Sequence, residues 1–168
     1  MPEFVRRYGS LDAGSLEKAV GAGFLMLAQE QSADVADDHL FRTVAVGHGG
    51  GKSFRQELAN TLVFPLAEPG AMRFMITVGR TRRSTIFLDH GNISKFHAFF
   101  RFDQLKGNFT ICDSSSTNGT YVEHLRLAPN LNTDLRGGEY ISFGHAFGGN
   151  FYTAATLSVY LKAVRSLF

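Results

Sequence analysis

The sequence predicts an all-β sandwich of about eleven short strands, with a short helix near the N-terminus and another at the C-terminus. Short runs of β-branched and aromatic residues recur along the chain, and segments rich in turn-forming residues separate them. With 168 residues, 44% of them hydrophobic, the chain has enough apolar material for one domain with a buried core.

The helix predictions fall near the two ends of the chain. Residues 10–20 carry apolar side chains on one face, and either Ser10 or Asp12 can cap the helix. Residues 153–165 repeat apolar side chains at helical spacing, with Thr153 as the N-cap.

The strand predictions cover most of the remaining sequence. The polar, acidic residues 29–39 are predicted to form a loop. Strands are predicted near residues 24–28, 41–46, 61–66, 73–79, 85–88, 96–102, 108–112, 120–122, 125–127 and 140–144.

The predicted organisation has three parts: an N-terminal helix and strand extension packed on the sandwich (1–40), the sandwich itself (41–150), and a C-terminal helix (151–168). Residues 1–70 have a net charge of −3 and residues 71–168 a net charge of +5. We therefore expect an anionic partner to bind the second part of the chain. The positive charge is too small to predict a nucleic-acid partner.

Cysteine usage and hydropathy indicate the cellular compartment of the protein. Cys112 is the single cysteine, so no intrachain disulfide can form, and a reducing environment fits. No signal peptide is visible, and the longest apolar run, residues 21–28, is too short to span a bilayer. We expect a cytoplasmic protein with no membrane partner.

Three short polar motifs lie between the predicted strands, and their order is more informative than any one of them. A hydroxyl-rich loop is by itself usually only a turn. In chain order the motifs are Gly79-Arg80, Ser94-Lys95-Phe96-His97 and Ser116-Thr117-Asn118-Gly119-Thr120.

This order of motifs resembles the forkhead-associated (FHA) domain, an all-β family that binds phosphothreonine peptides. The resemblance covers roughly residues 73–145 and includes a glycine-acid-X-isoleucine-X-X-glycine pattern within residues 135–144. It departs at Glu123 and His124, where the family usually has Asn-Gly. Because Asn-Gly favours a tight hairpin, the turn here is left open between a tight turn and a longer loop.

A phosphothreonine carries about −1.5 to −2 charges and several strong acceptor oxygens. Arg80 can present a guanidinium fork to those oxygens. The resemblance implies that Arg80 and Ser94 contact the phosphate, that Lys95 adds a second positive charge, and that Thr117 donates through its hydroxyl or its amide. Asn118 would hold the backbone of the bound peptide, since its amide can both donate and accept.

A second set of residues is expected to support the binding loops. In the family, the histidine at the position of His97 is architectural, and we find no triad partner that would make it a general base. Gly119 is needed if its turn requires a positive φ. The supporting residues are Gly79, His97, Ser116 and Gly119.

Arg82 and Arg83 follow the first motif by two and three residues. They either bind acidic residues C-terminal to the phosphothreonine or form a solvated charge cluster.

The rival from another class is a nucleotide-binding enzyme that would use Gly51-Lys52-Ser53, the end of the glycine-rich run at 46–53. A phosphate loop requires its first glycine at the position of Val46, and the histidines and lone cysteine show no metal-ligand spacing. We therefore expect a non-catalytic phosphothreonine-binding module without cofactor or metal, in Ser/Thr kinase signalling or assembly. The main alternative is an FHA scaffold that binds partners without phosphate. The oligomeric state is left open.

Overall fold

A computed structural model describes residues 1–28, 54–66, 75–103 and 105–168 of the chain. Three sequence predictions lie outside these residues: the loop at 29–39, the strand at 41–46 and the glycine-rich run at 46–53.

The described residues form eleven strands and four α-helices, which confirms the predicted β-sandwich with terminal helices. The helices are α1 (Pro2–Tyr8), α2 (Ala13–Ala19), α3 (Phe54–Ala59) and α4 (Ala154–Val164), followed by a 3₁₀ turn at Arg165–Leu167. The strands are β1 (Gly23–Ala28), β2 (Thr61–Pro65), β3 (Ile76–Gly79), β4 (Ile86–Phe87), β5 (Ala98–Asp103), β6 (Asn108–Asp113), β7 (Thr120–Val122), β8 (Leu125–Arg126), β9 (Asn132–Leu135), β10 (Tyr140–Phe143) and β11 (Phe147–Thr153).

The strands form two sheets. One has the order β2-β1-β11-β10-β7-β8, and the other has the order β4-β3-β5-β6-β9. The β3–β4 pair is parallel, whereas β1 pairs antiparallel with both β2 and β11. β1 is thus an inner strand of the six-stranded sheet, although the predicted division at 1–40, 41–150 and 151–168 assigns it to an extension. That division stays a prediction.

The apolar residues of β1 face two separate cores. Leu25 and Leu27 lie in the core between the sheets, together with buried residues such as Phe100 and Phe151. Phe24 and Met26 point to the opposite face. Because side chains alternate along a strand, a strand buried on both faces needs a continuous apolar run, and residues 24–28 provide one.

The second core lies between the outer face of the six-stranded sheet and the helices. Phe24 and Met26 of β1 pack there against Val5 of α1, Leu16 of α2 and Leu161 of α4. These five side chains are each at most 5% exposed.

Both predicted helices form, and their capping bonds explain where they begin. Of the two possible caps for α2, the structure uses Asp12, whose carboxylate accepts a hydrogen bond from the Ser15 amide at 2.8 Å. Thr153 caps α4 as predicted, in a reciprocal capping box with Thr156.

Four elements were not predicted from the sequence: α1, α3, β9 and β11. β9 is a polar edge strand, so it lacks the apolar alternation that identifies a half-buried strand. β11 contains Gly148 and Gly149, which usually indicate a loop. In this fold, a side chain at Gly149 would collide with the backbone of Met26 in β1, so close packing of the sheet requires glycine.

The turn at Glu123 and His124 is a tight two-residue hairpin. Val122 pairs with Leu125 across the turn, and both turn residues have positive φ, 49° and 67°. The longer loop considered for this departure is therefore wrong. The Glu123 carboxylate accepts a hydrogen bond from the Tyr140 amide at 2.6 Å, and the His124 ring stacks on the Tyr140 ring.

Candidate functional site

Arg80 lies directly after β3 and is fixed to the loop that precedes β5. Its amide donates to the Ser94 carbonyl at 2.9 Å, and its Nε donates to the Ile93 carbonyl at 2.9 Å. The side chain is exposed. Within the described residues its two terminal nitrogens have no partner, so the outer edge of the guanidinium is free to bind an anion.

Ser94 and Thr117 join the two loops that the sequence motifs predict. The Thr117 amide donates to the Ser94 hydroxyl oxygen at 3.1 Å, and the two hydroxyl oxygens are 3.5 Å apart. The Ser94 hydroxyl donates to the Thr117 hydroxyl oxygen only over this long distance, so its proton can turn to a closer external acceptor. The Thr117 amide is occupied, so the structure favours its hydroxyl over its amide as the donor to a ligand.

His97 connects the same two loops from their buried side. Its side chain is 0% exposed. Nδ1 accepts a hydrogen bond from the Ser94 amide at 3.1 Å, and Nε2 lies 3.1 Å from the Gly119 carbonyl. Since Nδ1 is the acceptor, the ring proton is on Nε2, which donates to Gly119. Burial lowers the pKa of His97, which favours this neutral form.

Asp113 organises the inside of the loop that carries Thr117. The residue is 1% exposed. One oxygen accepts hydrogen bonds from the Ser116 hydroxyl at 2.6 Å and the Thr120 hydroxyl at 2.7 Å, and the other accepts the Ser116 amide at 3.0 Å. Three donors thus satisfy a buried charge at the point where the loop leaves β6.

Asp113 has no predicted role among the sequence motifs. The signal was present as an Asp at the end of an apolar run followed by Ser three residues later, a spacing typical of a side chain that bonds to the backbone ahead of it. Ser116, expected to support the loops, is buried and forms two of the three bonds to Asp113.

Asn118 and Gly119 form the end of this loop. The Asn118 side-chain nitrogen donates to the Asn92 carbonyl at 2.9 Å, which fixes the amide plane and leaves its oxygen for a peptide N–H. Gly119 has a φ of +82°, the positive value that the sequence suggested. Its carbonyl accepts bonds from His97 and from the Gly144 amide.

Gly79 permits the close approach of the loop that contains Lys95. A side chain at Gly79 would collide with the Lys95 carbonyl and lie 2.8 Å from the Ser84 hydroxyl. The Lys95 carbonyl also accepts a bond from the Thr81 hydroxyl at 3.4 Å. The Lys95 side chain is exposed next to Ser94.

Arg82 and Arg83 occupy the central positions of a turn closed by a 2.9 Å bond from the Ser84 amide to the Thr81 carbonyl. Both side chains are exposed. Among the described residues neither forms a hydrogen bond or an ion pair, so the structure does not bring them into the network that joins Arg80, Ser94 and Thr117.

In the described parts of the chain, no group of three or more His, Cys, Asp or Glu side chains is arranged to hold a metal ion. None of the described helices is long and apolar enough to cross a membrane.

Comparison with protein families gives a match to the FHA domain over residues 76–144. Two oxoglutarate dehydrogenase inhibitors are similar to the chain. The one from Corynebacterium efficiens is 40% identical over 68 residues, which cover 40% of this chain and 44% of that protein. The one from Corynebacterium diphtheriae is 34% identical over 91 residues, which cover 51% of this chain and 60% of that protein.

The FHA domain-containing protein PS1 of Arabidopsis thaliana is 31% identical over 77 residues, which cover 46% of this chain and 5% of that much longer protein. The chain therefore spans less than two thirds of each of these relatives.

Among solved structures, the yeast Dun1 FHA domain in complex with a doubly phosphorylated peptide from Rad53 is similar in fold. Its TM-score is 0.51 at 20% identity, and the alignment covers 80% of this chain and 76% of that chain. The motif order, the two-sheet fold and the family match all indicate the same family. The chain contains an FHA domain.

Proposed function

We propose that the chain binds threonine-phosphorylated proteins, with Arg80, Ser94, Lys95 and Thr117 around the phosphate and Asn118 on the peptide backbone. The observation that carries this proposal is the arrangement at Arg80. Its Nε is used to hold the side chain against the Ile93 carbonyl, which leaves the two terminal nitrogens facing outward as a fixed fork.

The hydroxyls of Ser94 and Thr117 add neutral donors next to this fork. Their positions are set by the Thr117 amide bond to Ser94 and by the bond from the Ser94 amide to His97. A site built in advance in this way loses little conformational entropy when the phosphate binds. The buried Asp113 carboxylate is satisfied by three donors of the protein, so it does not compete for the cations.

Binding without catalysis is part of the proposal. Both ring nitrogens of His97 are engaged in hydrogen bonds, and the ring is excluded from solvent. It therefore has no free nitrogen with which to remove a proton from a substrate. We propose that the module serves in Ser/Thr kinase signalling or assembly, where a kinase prepares the partner.

The relatives from Corynebacterium are named as inhibitors of oxoglutarate dehydrogenase, and the phosphopeptide complex belongs to yeast Dun1. For this chain we propose only the recognition of a phosphothreonine in an extended peptide, because that is the function that its own loops support.

Calorimetric titration with a degenerate phosphothreonine peptide library and its unphosphorylated counterpart tests the proposal. We expect micromolar binding to the phosphorylated library alone. Arg80→Ala should weaken this binding by about 2–5 kcal/mol, because it removes one partner of a charge-assisted contact. Loss of the bond to Ile93 should cost only about 1 kcal/mol of stability.

Exposed Arg6 of α1 provides the matched control, since Arg6→Ala changes the net charge equally and should leave binding unchanged. Equal binding of both libraries, or of neither, would refute the proposal and favour an FHA scaffold that does not use phosphate.

A further inference from the structure

We propose that Arg126 is a specificity-determining residue that binds an anionic side chain of the partner beside the phosphothreonine. This role rests on the proposed function, because the phosphothreonine positions the partner. Arg126 lies at the end of β8, outside the three motifs that define the phosphate site.

The guanidinium of Arg126 is packed against the loop that carries Asn118. A side-chain carbon added at Gly119 would lie 2.6 Å from Arg126 Nε and 3.3 Å from one of its terminal nitrogens. The guanidinium therefore covers the Cα of Gly119. Glycine at this position has two consequences: it allows a φ of +82°, and it makes room for the arginine.

Tyr121 connects the same surface to Asn118. It pairs with Arg126 across the hairpin, so the two side chains lie on the same face of the sheet. The Tyr121 hydroxyl donates to the Asn118 carbonyl at 3.2 Å, and the His145 ring lies 4.3 Å from the Tyr121 ring. A peptide held by Asn118 would thus pass next to this group of side chains.

The charge of Arg126 is uncompensated in the described part of the chain. The side chain is exposed, and it has no carboxylate or hydrogen-bond partner there. Arg82 and Arg83 are also exposed, but nothing in the described residues holds them beyond the turn of their backbone. A side chain that is already positioned loses less entropy on binding. Arg126 should therefore bind a neighbouring anion more strongly than Arg82 or Arg83 does.

The ligand chemistry is that of a planar or tetrahedral oxyanion, because a guanidinium binds carboxylates and phosphates through paired N–H groups. An Asp or Glu of the partner and a second phosphorylated residue share this chemistry. The two sources differ in charge, and peptides that carry one or the other distinguish them.

The experiment uses the full chain and a set of synthetic phosphothreonine peptides. The parent peptide has alanine at every flanking position, and each further peptide has one aspartate at one of these positions. We expect one position to tighten binding by about three- to five-fold, the upper range for an exposed charge pair. Phosphoserine at that position should tighten binding further, because its charge is larger.

Arg126→Gln should remove this gain and leave the affinity for the parent peptide within about two-fold, because Arg126 lies outside the motifs proposed to surround the phosphate. Arg126→Lys should keep part of the gain, since it keeps the charge but not the fork. Arg82→Gln and Arg6→Gln, which lower the net charge equally, should keep the whole gain. Unchanged melting temperatures would show that the variants fold.

A gain that persists in Arg126→Gln, or that is lost equally in Arg82→Gln, would overturn the role of Arg126, as would the absence of any gain in the wild-type protein. Failure of the wild-type protein to bind the parent peptide is a different outcome. It would overturn the proposed function and, with it, the role of Arg126.

Discussion

Two regions of this sandwich, the loop end that carries the candidate site and the helix-covered face, are stabilised by different interactions. At the loop end, the side chains of His97 and Asp113 are almost completely buried, and hydrogen bonds to Ser94, Ser116, Thr120 and Gly119 satisfy them. On the helix-covered face, apolar side chains such as Leu16, Phe24 and Leu161 pack without polar partners.

The difference shows which part of the fold determines atomic positions and which part mainly adds stability. Hydrogen bonds are directional, so the network around His97 and Asp113 fixes where Ser94 and Thr117 lie. Burial of apolar area is not directional. The turn after β10 lies beside Gly119, and β11 then runs seven residues, roughly 20 Å, before α4 begins. Changes in one region should therefore leave the other region nearly unaffected.

The largest expected effect on stability comes from the helix-covered face. Leu161→Ala truncates a side chain that is 0% exposed in the second core. The cavity should lower the free energy of unfolding by about 2–5 kcal/mol, measured by chemical denaturation. Well below the melting temperature, the affinity for a phosphothreonine peptide should not change.

Val159 is the matched control for Leu161. It lies on the same helix and is 69% exposed, so Val159→Ala should change stability by less than about 0.5 kcal/mol. A large loss of phosphopeptide affinity in folded Leu161→Ala would show that the helices also position the loops, contrary to the separation inferred above.

The next largest effect is expected at Asp113, where stability and binding should change together. Asp113→Asn places an N–H₂ group where the carboxylate accepts three hydrogen bonds, so at least one donor loses its acceptor. We expect a loss of about 1–3 kcal/mol of stability. Phosphopeptide affinity should also fall, because Thr117 lies in the loop that these bonds shape.

Asp134 of β9 is exposed, so Asp134→Asn is a control with the same change of charge and little expected effect. If Asp113→Asn lost stability but kept full affinity, the network would be needed for folding alone and not for the geometry of the site.

The contrast between the two regions also explains what the sequence could and could not reveal. Arg80, Ser94 and Thr117 occur in an ordered set of motifs, and the structure connects them through the Ser94 hydroxyl and backbone. The importance of Asp113 was missed because its spacing to Ser116 is only a local signal of a turn, and the bond from Thr120 forms only after the loop has folded. Arg126 was missed for a similar reason, since its contact with Gly119 requires the hairpin pairing of β7 and β8.

The strands show the same limit of local sequence patterns. β1 was predicted from its continuous apolar run, which is a local property of the sequence. β11 was missed because neighbouring strands, and not its local conformation, require its glycines. Gly149 lies against the backbone of β1, and Gly148 makes room for the Tyr140 side chain of β10. Local patterns thus predict elements that pack by their own side chains, and they fail where a second element sets the requirement.

A smaller effect is expected from pH, through His97. Burial lowers the pKa of this ring below its ordinary value of 6.5, so the unfolded chain binds a proton more readily than the folded protein. Stability from this group is complete above pH 6.5 and is lost as the pH falls below that value. The free energy of unfolding should therefore decrease on acidification, as measured by denaturation at a series of pH values.

The variant His97→Gln should reduce this pH dependence, although it also lowers stability at neutral pH by disrupting the bonds to Ser94 and Gly119. Exposed His145 is the control, since His145→Gln should keep the dependence. A dependence that is the same in all three proteins would mean that His97 is not its source.

The smallest expected effect is a gain of stability at the tight turn between β7 and β8. His124 has a φ of 67°, which costs energy for a residue with a Cβ, so His124→Gly should remove strain. The gain is offset by the greater freedom of glycine in the unfolded chain and by loss of the stacking on Tyr140. We expect a net gain of about 0.5 kcal/mol in the free energy of unfolding, measured by chemical denaturation.

Glu123→Gly is the control. Glu123 also has a positive φ, but this variant should be neutral or destabilising, because it removes the carboxylate that accepts a hydrogen bond from the Tyr140 amide. If both variants gained stability equally, backbone strain alone would govern the turn and the bond to Tyr140 would contribute nothing.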